Sequence, residues 1–261
     1  MKITGLLSWF RESPQTLRDT ITSTAPLIDE LVCLDGRYAL FPHEANRSTA
    51  EEVEAIKEAC QSVSLPVQIH QVDEPFDGRW GGEVAKRAEL FRLGEQTGAD
   101  WYYVFDADCH AQQINPGWRE MIEAERELHV ATVMVADGGI AKPHPAFFRA
   151  LLGLTVQERH WRYLVPKHGP VLWDYPHLLT QRKRIPTFTK IVIDHNAQRR
   201  PIRAANREQY YELRDQSRIE TEPKTLPPPP PQTVDYAEKL HRALSLGSSK
   251  KPGGGRTESR R

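Results

Sequence analysis

The chain carries no surplus charge of either sign: its 261 residues hold 35 Lys plus Arg against 35 Asp plus Glu. A neutral body gives no electrostatic case for a nucleic-acid groove or an anionic membrane surface. Cysteine is scarce. Cys33, Cys60 and Cys109 have neither metal-site spacing nor an even count, so they read as reduced thiols of a cytosolic protein. No apolar run reaches membrane-spanning length, and Met1 to Phe10 lacks an apolar segment followed by a small-residue cleavage site. The expectation is a soluble, cytoplasmic protein with no membrane span. Glycine is missing where a phosphate loop would need it. Leu7 to Pro14 contains none, which excludes the Gly-x-Gly-x-x-Gly turn of a dinucleotide-binding dehydrogenase and counts against a nucleotidyltransferase with a glycine-rich basic loop. No internal repeat has a useful period.

What the chain does have is a length sufficient for one large α/β domain and one stretch around which the rest is arranged. Trp101-Tyr102-Tyr103-Val104-Phe105 is an apolar, aromatic and β-branched run that stops on Asp106-Ala107-Asp108. Such a run reads as a buried strand. Side chains alternate across a strand, so carboxylates at i and i+2 are expected to point the same way at its end, as half of a Mg²⁺ or Mn²⁺ site. Two solvated turn residues are the other reading of that tripeptide.

Upstream, Ile3 to Phe10 reads as a first strand, and Ser13-Pro14 as an N-cap followed by a first-turn proline that opens a helix to about Ser23. Leu31 to Leu34 is a second strand ending on Asp35-Gly36. Strand, helix, strand is the opening of a parallel α/β sheet, in which ligands gather at the carboxyl ends of strands. Ser48 is placed to cap a surface helix running to Cys60, and Pro66 to Val72 alternates as a third strand. Glu83 to Thr97 forms a helix with Lys86 and Arg87 near its start, where cations oppose the helix dipole; a phosphate there would explain them, as would simple solvation. A charged helix follows from Arg119 to Glu127, then a strand from Val130 to Val135, broken at Asp137-Gly138-Gly139. From Pro143 to Thr189 the periodicity is poor and the content rich in His, Trp, Pro and Tyr, His144 and Trp173 to Tyr175 among them, as an irregular recognition region would be. Phe188 to Ile193 is a last strand, and Ala204 to Arg218 a last helix.

With these residues in place the chain resembles the glycosyltransferases of the A-type fold, in particular the large inverting (family 2-like) group of nucleotide-sugar transferases, small members encoded by actinobacterial phages included. The resemblance covers roughly residues 3 to 215. It rests on Trp9 to Pro14 after the first strand, Asp35 closing the second, the basic pair Lys86-Arg87, and above all Gly98-Ala99-Asp100-Trp101 leading through an apolar strand to the Asp-x-Asp motif. It implies a Rossmann-like, mostly parallel sheet flanked by helices, a UDP- or GDP-sugar donor, and a Mn²⁺ or Mg²⁺ ion. Asp35 would accept hydrogen bonds from the base or ribose, Trp9 would line the donor site, Glu12 would help on the ribose side, and Lys86 or Arg87 would approach the diphosphate. Asp106 would face ribose or metal, and Asp108 would ligate the metal. His195 resembles a histidine that closes the metal site in many such enzymes; a lone His after a strand is also an ordinary packing residue. No acidic pair stands where the acceptor base of inverting members is usual. Asp174 is the first candidate, with Asp137 and Glu158 behind it, and a retaining mechanism would need none of them.

The acceptor class stays open between a glycan, a protein and modified DNA, and the oligomeric state is not legible. A nucleotidyltransferase acting on a sugar phosphate and a non-catalytic glycan- or protein-binding module are the rival readings. Three regions are expected: a transferase domain over 1–218, a proline-rich arm with a short helix over 219–246 that includes Pro227 to Pro231, and a basic tail over 247–261. The tail is Gly, Ser, Lys and Arg with almost nothing to bury, so its composition cannot offset the entropy of ordering it. Truncation after Ser245 is expected to leave both the melting temperature and donor turnover at the full-length values; a joint loss of the two would show that the tail belongs to the working domain.

Overall fold

The structure, a computed structural model, describes residues 1–124, 130–137, 140–158, 162–165, 169–174, 187–194 and 208–214. All belong to the unit Met1–Thr221. His195, the proline-rich arm and the basic tail lie outside the described residues, and the last expected helix is described over 208–214.

The elements run β1 (Ile3–Trp9), α1 (Pro14–Thr24), β2 (Glu30–Asp35), α2 (Ala50–Ser62), β3 (Val67–Gln71), α3 (Glu83–Glu95), β4 (Trp101–Asp106), β5 (His110–Gln113), α4 (Trp118–Ala124), β6 (Val130–Asp137), β7 (Ile140–Arg149), β8 (Thr155–Glu158), β9 (Arg162–Val165), β10 (Gly169–Asp174) and β11 (Thr187–Asp194). Eight strands form one sheet in the order β3-β2-β1-β4-β7-β6-β11-β5, and β10-β9-β8 form a small second sheet. The pairs β1·β2, β2·β3, β1·β4 and β6·β11 are parallel, whereas β7 runs antiparallel to β4 and β6, and β5 antiparallel to β11. The fold is therefore α/β with a mostly parallel sheet flanked by helices, as expected.

The aromatic run behaves as a strand buried on both faces. Trp101, Tyr103 and Phe105 join the core beneath α1, α2 and α4, where Leu17, Ile21, Ile56 and Ile122 pack. Tyr102 and Val104 join the opposite core with Leu90, Phe91 and Leu93 of α3. Large rings on both sides seat the strand firmly: Tyr103 lies 4.7 Å from Phe147 and Phe91 lies 5.8 Å from Tyr102, centroid to centroid, distances at which ring pairs add to plain area burial. β1 stands between β2 and β4, so chain direction across the sheet reverses there. In open α/β sheets the crevice beyond such strand ends is where ligands bind.

Four expectations need correction. Ser48 is not the cap of α2: Thr49 is, in a capping box with Glu52, while Ser48 turns inward to Asp35. The strand ending on Asp106 does not continue to Asp108, which lies in the turn that follows, so the two carboxylates are not brought together by strand alternation. β6 extends to Asp137 instead of stopping at Val135. The stretch from Pro143 is not irregular at its start, because β7 continues to Arg149 as the partner of both β4 and β6.

Entry into α3 depends on Gly82, whose φ of +96° is left-handed and whose added Cβ would lie 1.8 Å from the Phe76 carbonyl oxygen. Gly98 also has a left-handed φ, +65°, but open space around it. Gly82→Ala is expected to cost about 3 kcal/mol and Gly98→Ala about 1 kcal/mol, read as urea-midpoint shifts at constant slope. Equal costs would remove the steric part of the argument.

Candidate active site

A cavity of about 390 Å³ opens at the carboxyl ends of β1 and β4, a size that suits a small-molecule ligand. Ser8, Trp9, Glu12, Glu83, Lys86, Arg87, Asp106 and Asp108 all line it, from three separate stretches of chain. Asp106 is the last residue of β4. Arg87 on α3 donates from one Nη2 to both of its carboxylate oxygens, at 3.1 Å each, and Nε of the same guanidinium meets Glu83 at 3.4 Å. Asp108 follows in a turn that α1 helps to hold, Thr20 donating its hydroxyl to the Ala107 carbonyl. It is 9% exposed, whereas the Asp106 side chain is 41% exposed. Cys109 lies beside them, its thiol pushed up by burial and then by the Asp108 and Asp106 carboxylates, which keeps it protonated and a poor nucleophile.

Lys86 is placed differently from Arg87. Its ammonium is buried and donates to the carbonyl of Trp9 at 2.7 Å and that of Gly36 at 2.8 Å, while lying 5.1 Å from the Tyr38 ring centroid. The buried stripe of α3 explains the pairing: Glu83, Lys86, Arg87, Leu90 and Gly94 share a face at helical spacing, polar where it meets the strand ends and apolar where it crosses the sheet. Asp35 is fully buried and is not among the cavity-lining residues. Its carboxylate accepts from the Ser48 amide at 2.6 Å, the Ser48 hydroxyl at 2.8 Å and the Gln71 amide at 2.8 Å. Trp9 is 2% exposed, and its indole Nε1 is buried without a hydrogen-bond partner among the described residues, an uncommon state for a buried donor.

Asp137, Glu158 and Asp174 each close a strand, β6, β8 and β10 respectively. Glu158 and Asp174 both stand in register with Arg162 on the strand between them. His195 lies outside the described residues.

The structure also brings in residues that the sequence did not single out as site residues. Tyr38 and Phe41, following β2, meet Tyr210 of segment 208–214 at ring-centroid distances of 5.5 and 5.9 Å, and all three line the cavity with Tyr211. The Tyr38 phenol is pushed up by burial and by the Glu83 carboxylate, so it stays a neutral hydrogen-bonding group. His144, on β7, lines the cavity as well. A signal for it was present: Asp137-Gly138-Gly139 between two β-rich runs is a hairpin pattern.

No protein-family model matches the chain, and no curated protein matches it. Solved structures do. S. aureus TarS 1-349 aligns at 14% identity and TM-score 0.38, over 57% of this chain and 47% of that one. The same protein in complex with UDP aligns at 15% identity and TM-score 0.37, over 55% and 38%. GalNAc-T7 with UDP, GalNAc and Mn2+ aligns at 11% identity and TM-score 0.36, over 64% of this chain and 30% of that one. This chain thus spans less than half of each of them, and likenesses so distant carry no argument about what it does.

Removing the Lys86 ammonium would leave two buried carbonyls without their donor. Lys86→Met is expected to cost about 3 kcal/mol of stability, measured by urea unfolding. A change below about 0.5 kcal/mol, the usual size for a surface substitution, would show that the ammonium is not part of the framework.

Proposed function

We propose that the chain is a metal-dependent glycosyltransferase that moves a hexose from a nucleotide-diphosphate donor to a hydroxyl acceptor. The observation that carries this reading is the convergence of Asp106 and Asp108 on one cavity at the carboxyl end of the buried aromatic strand β4, with Arg87 beside them. Two carboxylates supply hard oxygen ligands, and Mg²⁺ and similar ions commonly take one or two of these from the protein and the remainder from substrate phosphates and water. That donor set fits the ion, although no group of three or more metal-binding side chains occurs among the described residues. When bound, such an ion offsets the negative charge that accumulates on the departing diphosphate.

The protein's own groups divide the remaining work. Arg87 holds the Asp106 carboxylate in one orientation and brings a positive charge to the rim where the diphosphate would lie. Lys86 acts through the framework, holding the ends of β1 and β2 so that Trp9 and Tyr38 keep their places. Tyr38, Phe41 and Tyr210 offer flat apolar faces on which a nucleobase can stack, and the Trp9 indole and Glu12 offer a donor and an acceptor to base and ribose. Asp35 supports the site from behind through Ser48 and Gln71. The transferase domain is proposed to be 1–218. No helix among the described residues is long and apolar enough to cross a membrane.

The test is a mass-spectrometric screen of UDP- and GDP-hexoses with Mn²⁺ or Mg²⁺, scoring sugar release and transfer. Wild-type protein is expected to turn over at least one donor, and excess chelator to abolish it. Asp108→Asn should remove turnover while leaving the melting temperature of the metal-free protein nearly unchanged. Full turnover in chelator would take the metal out of the mechanism, and Mn²⁺-dependent joining of a nucleoside triphosphate to a sugar phosphate would favour a nucleotidyltransferase instead.

A further inference from the structure

The part of the cavity built by β6, β7 and β11 is apolar with one exception. Val133, Val135, Pro145, Ala146 and Ile193 line it, and His144 stands among them. The topology explains how a histidine reaches this place. β7 pairs with β4 only from Trp101↔Arg149 to Tyr103↔Phe147, while its pairing with β6 runs on to Asp137↔Ile140. Pro143 and Pro145 bring no N–H to a ladder, so they suit a strand edge that has lost its partner on one side. Among the described residues no strand is bonded to that flank of β4 beyond Tyr103, and Asp106 at its end and Pro145 in the proline stretch of β7 both line the cavity. The His144 imidazole is half-buried, on a backbone stiffened by a proline to either side.

We propose that His144 is the catalytic base of the transfer reaction, an inference that rests on the glycosyltransferase reading above. Donor groups occupy the α3 side of the cavity, where Asp106 is already engaged by Arg87. On the β6–β7–β11 side, His144 is the one lining side chain among the described residues that can take a proton. The step balances as follows. The acceptor hydroxyl gives its proton to the unprotonated ring nitrogen of His144 as its oxygen forms a bond to the anomeric carbon. The bond from that carbon to the diphosphate oxygen breaks, and its electron pair leaves on the nucleoside diphosphate. The anomeric configuration inverts, and the imidazolium returns its proton to water after product release. Glu158 and Asp174 close strands of the small second sheet.

The experiment compares wild type, His144→Gln and Asp174→Asn with the UDP- and GDP-hexoses of the screen, using water and sodium azide as acceptors. Azide is an anion with no proton to remove, so its attack needs no base. His144→Gln is expected to slow sugar release to water by about 10²- to 10⁴-fold, while glycosyl azide forms within a few-fold of the wild-type rate and calorimetric UDP or GDP binding with Mn²⁺ also stays within a few-fold. Water and azide rates falling together, or hydrolysis retained in His144→Gln, would overturn the assignment. An azide-rescued loss in Asp174→Asn with none in His144→Gln would move the role to Asp174. Absence of donor turnover in wild type with every donor would instead sink the glycosyltransferase reading, and this inference with it.

Discussion

Two parallel strands that end side by side leave carbonyl groups pointing into the same space, and buried carbonyls need donors. In this protein one cation answers both. The Lys86 ammonium, buried beneath Tyr38, takes the carbonyls of Trp9 at the end of β1 and Gly36 just beyond β2. Asp35 extends the same framework sideways, joining β2 to β3 through Gln71 and to the entrance of α2 through Ser48. Everything that leaves the sheet at this edge, from Trp9 and Phe10 to Tyr38 and Phe41, departs from strand ends that are tied together. A site assembled from several loops holds its geometry only if the groups behind it are fixed in this way.

The first turn of α3 shows how one helix serves both framework and site. Two cations there work against the helix dipole, and each meets acceptors that offset the cost: Lys86 the two carbonyls, Arg87 the carboxylates of Glu83 and Asp106. Adjacent residues on one helix thus point to different tasks. Lys86 reaches down between strand ends, while Arg87 reaches across to the end of β4. Their position opposite that strand depends in turn on Gly82, which lets the chain pass close against the Phe76 carbonyl before the helix begins.

Much of the first half of the fold was legible because its signals are local. Ser13-Pro14 starts α1 as a cap and a first-turn proline should, and Ser13 accepts from the Thr16 amide. The aromatic run before Asp106 is buried on both faces, as its lack of polar alternation implies. Thr49 displaced Ser48 as the cap of α2 because the capping box with Glu52 needs the residue three before it, and because Ser48 has a buried carboxylate to satisfy. β7 was hidden by its prolines, which count against a strand in isolation. They are tolerated here because β6 supplies a partner on one side while the other side opens onto the cavity.

The sequence by itself determined most of the elements up to β4 and the chemical types: strands that end on Asp35 and Asp106, a basic turn opening α3, an acidic pair of hard oxygen donors. Those follow from spacing along the chain, which propensity and capping translate directly into local structure. Only the tertiary structure decided which of these groups share a space. It turned Lys86 and Asp35 toward the framework, put Arg87 on Asp106, and carried Tyr38, Tyr210 and His144 to the same cavity from widely separated stretches of chain. The physical reason is that a hydrogen bond or ring contact between distant residues depends on strand order and register, and these emerge from the packing of the whole sheet.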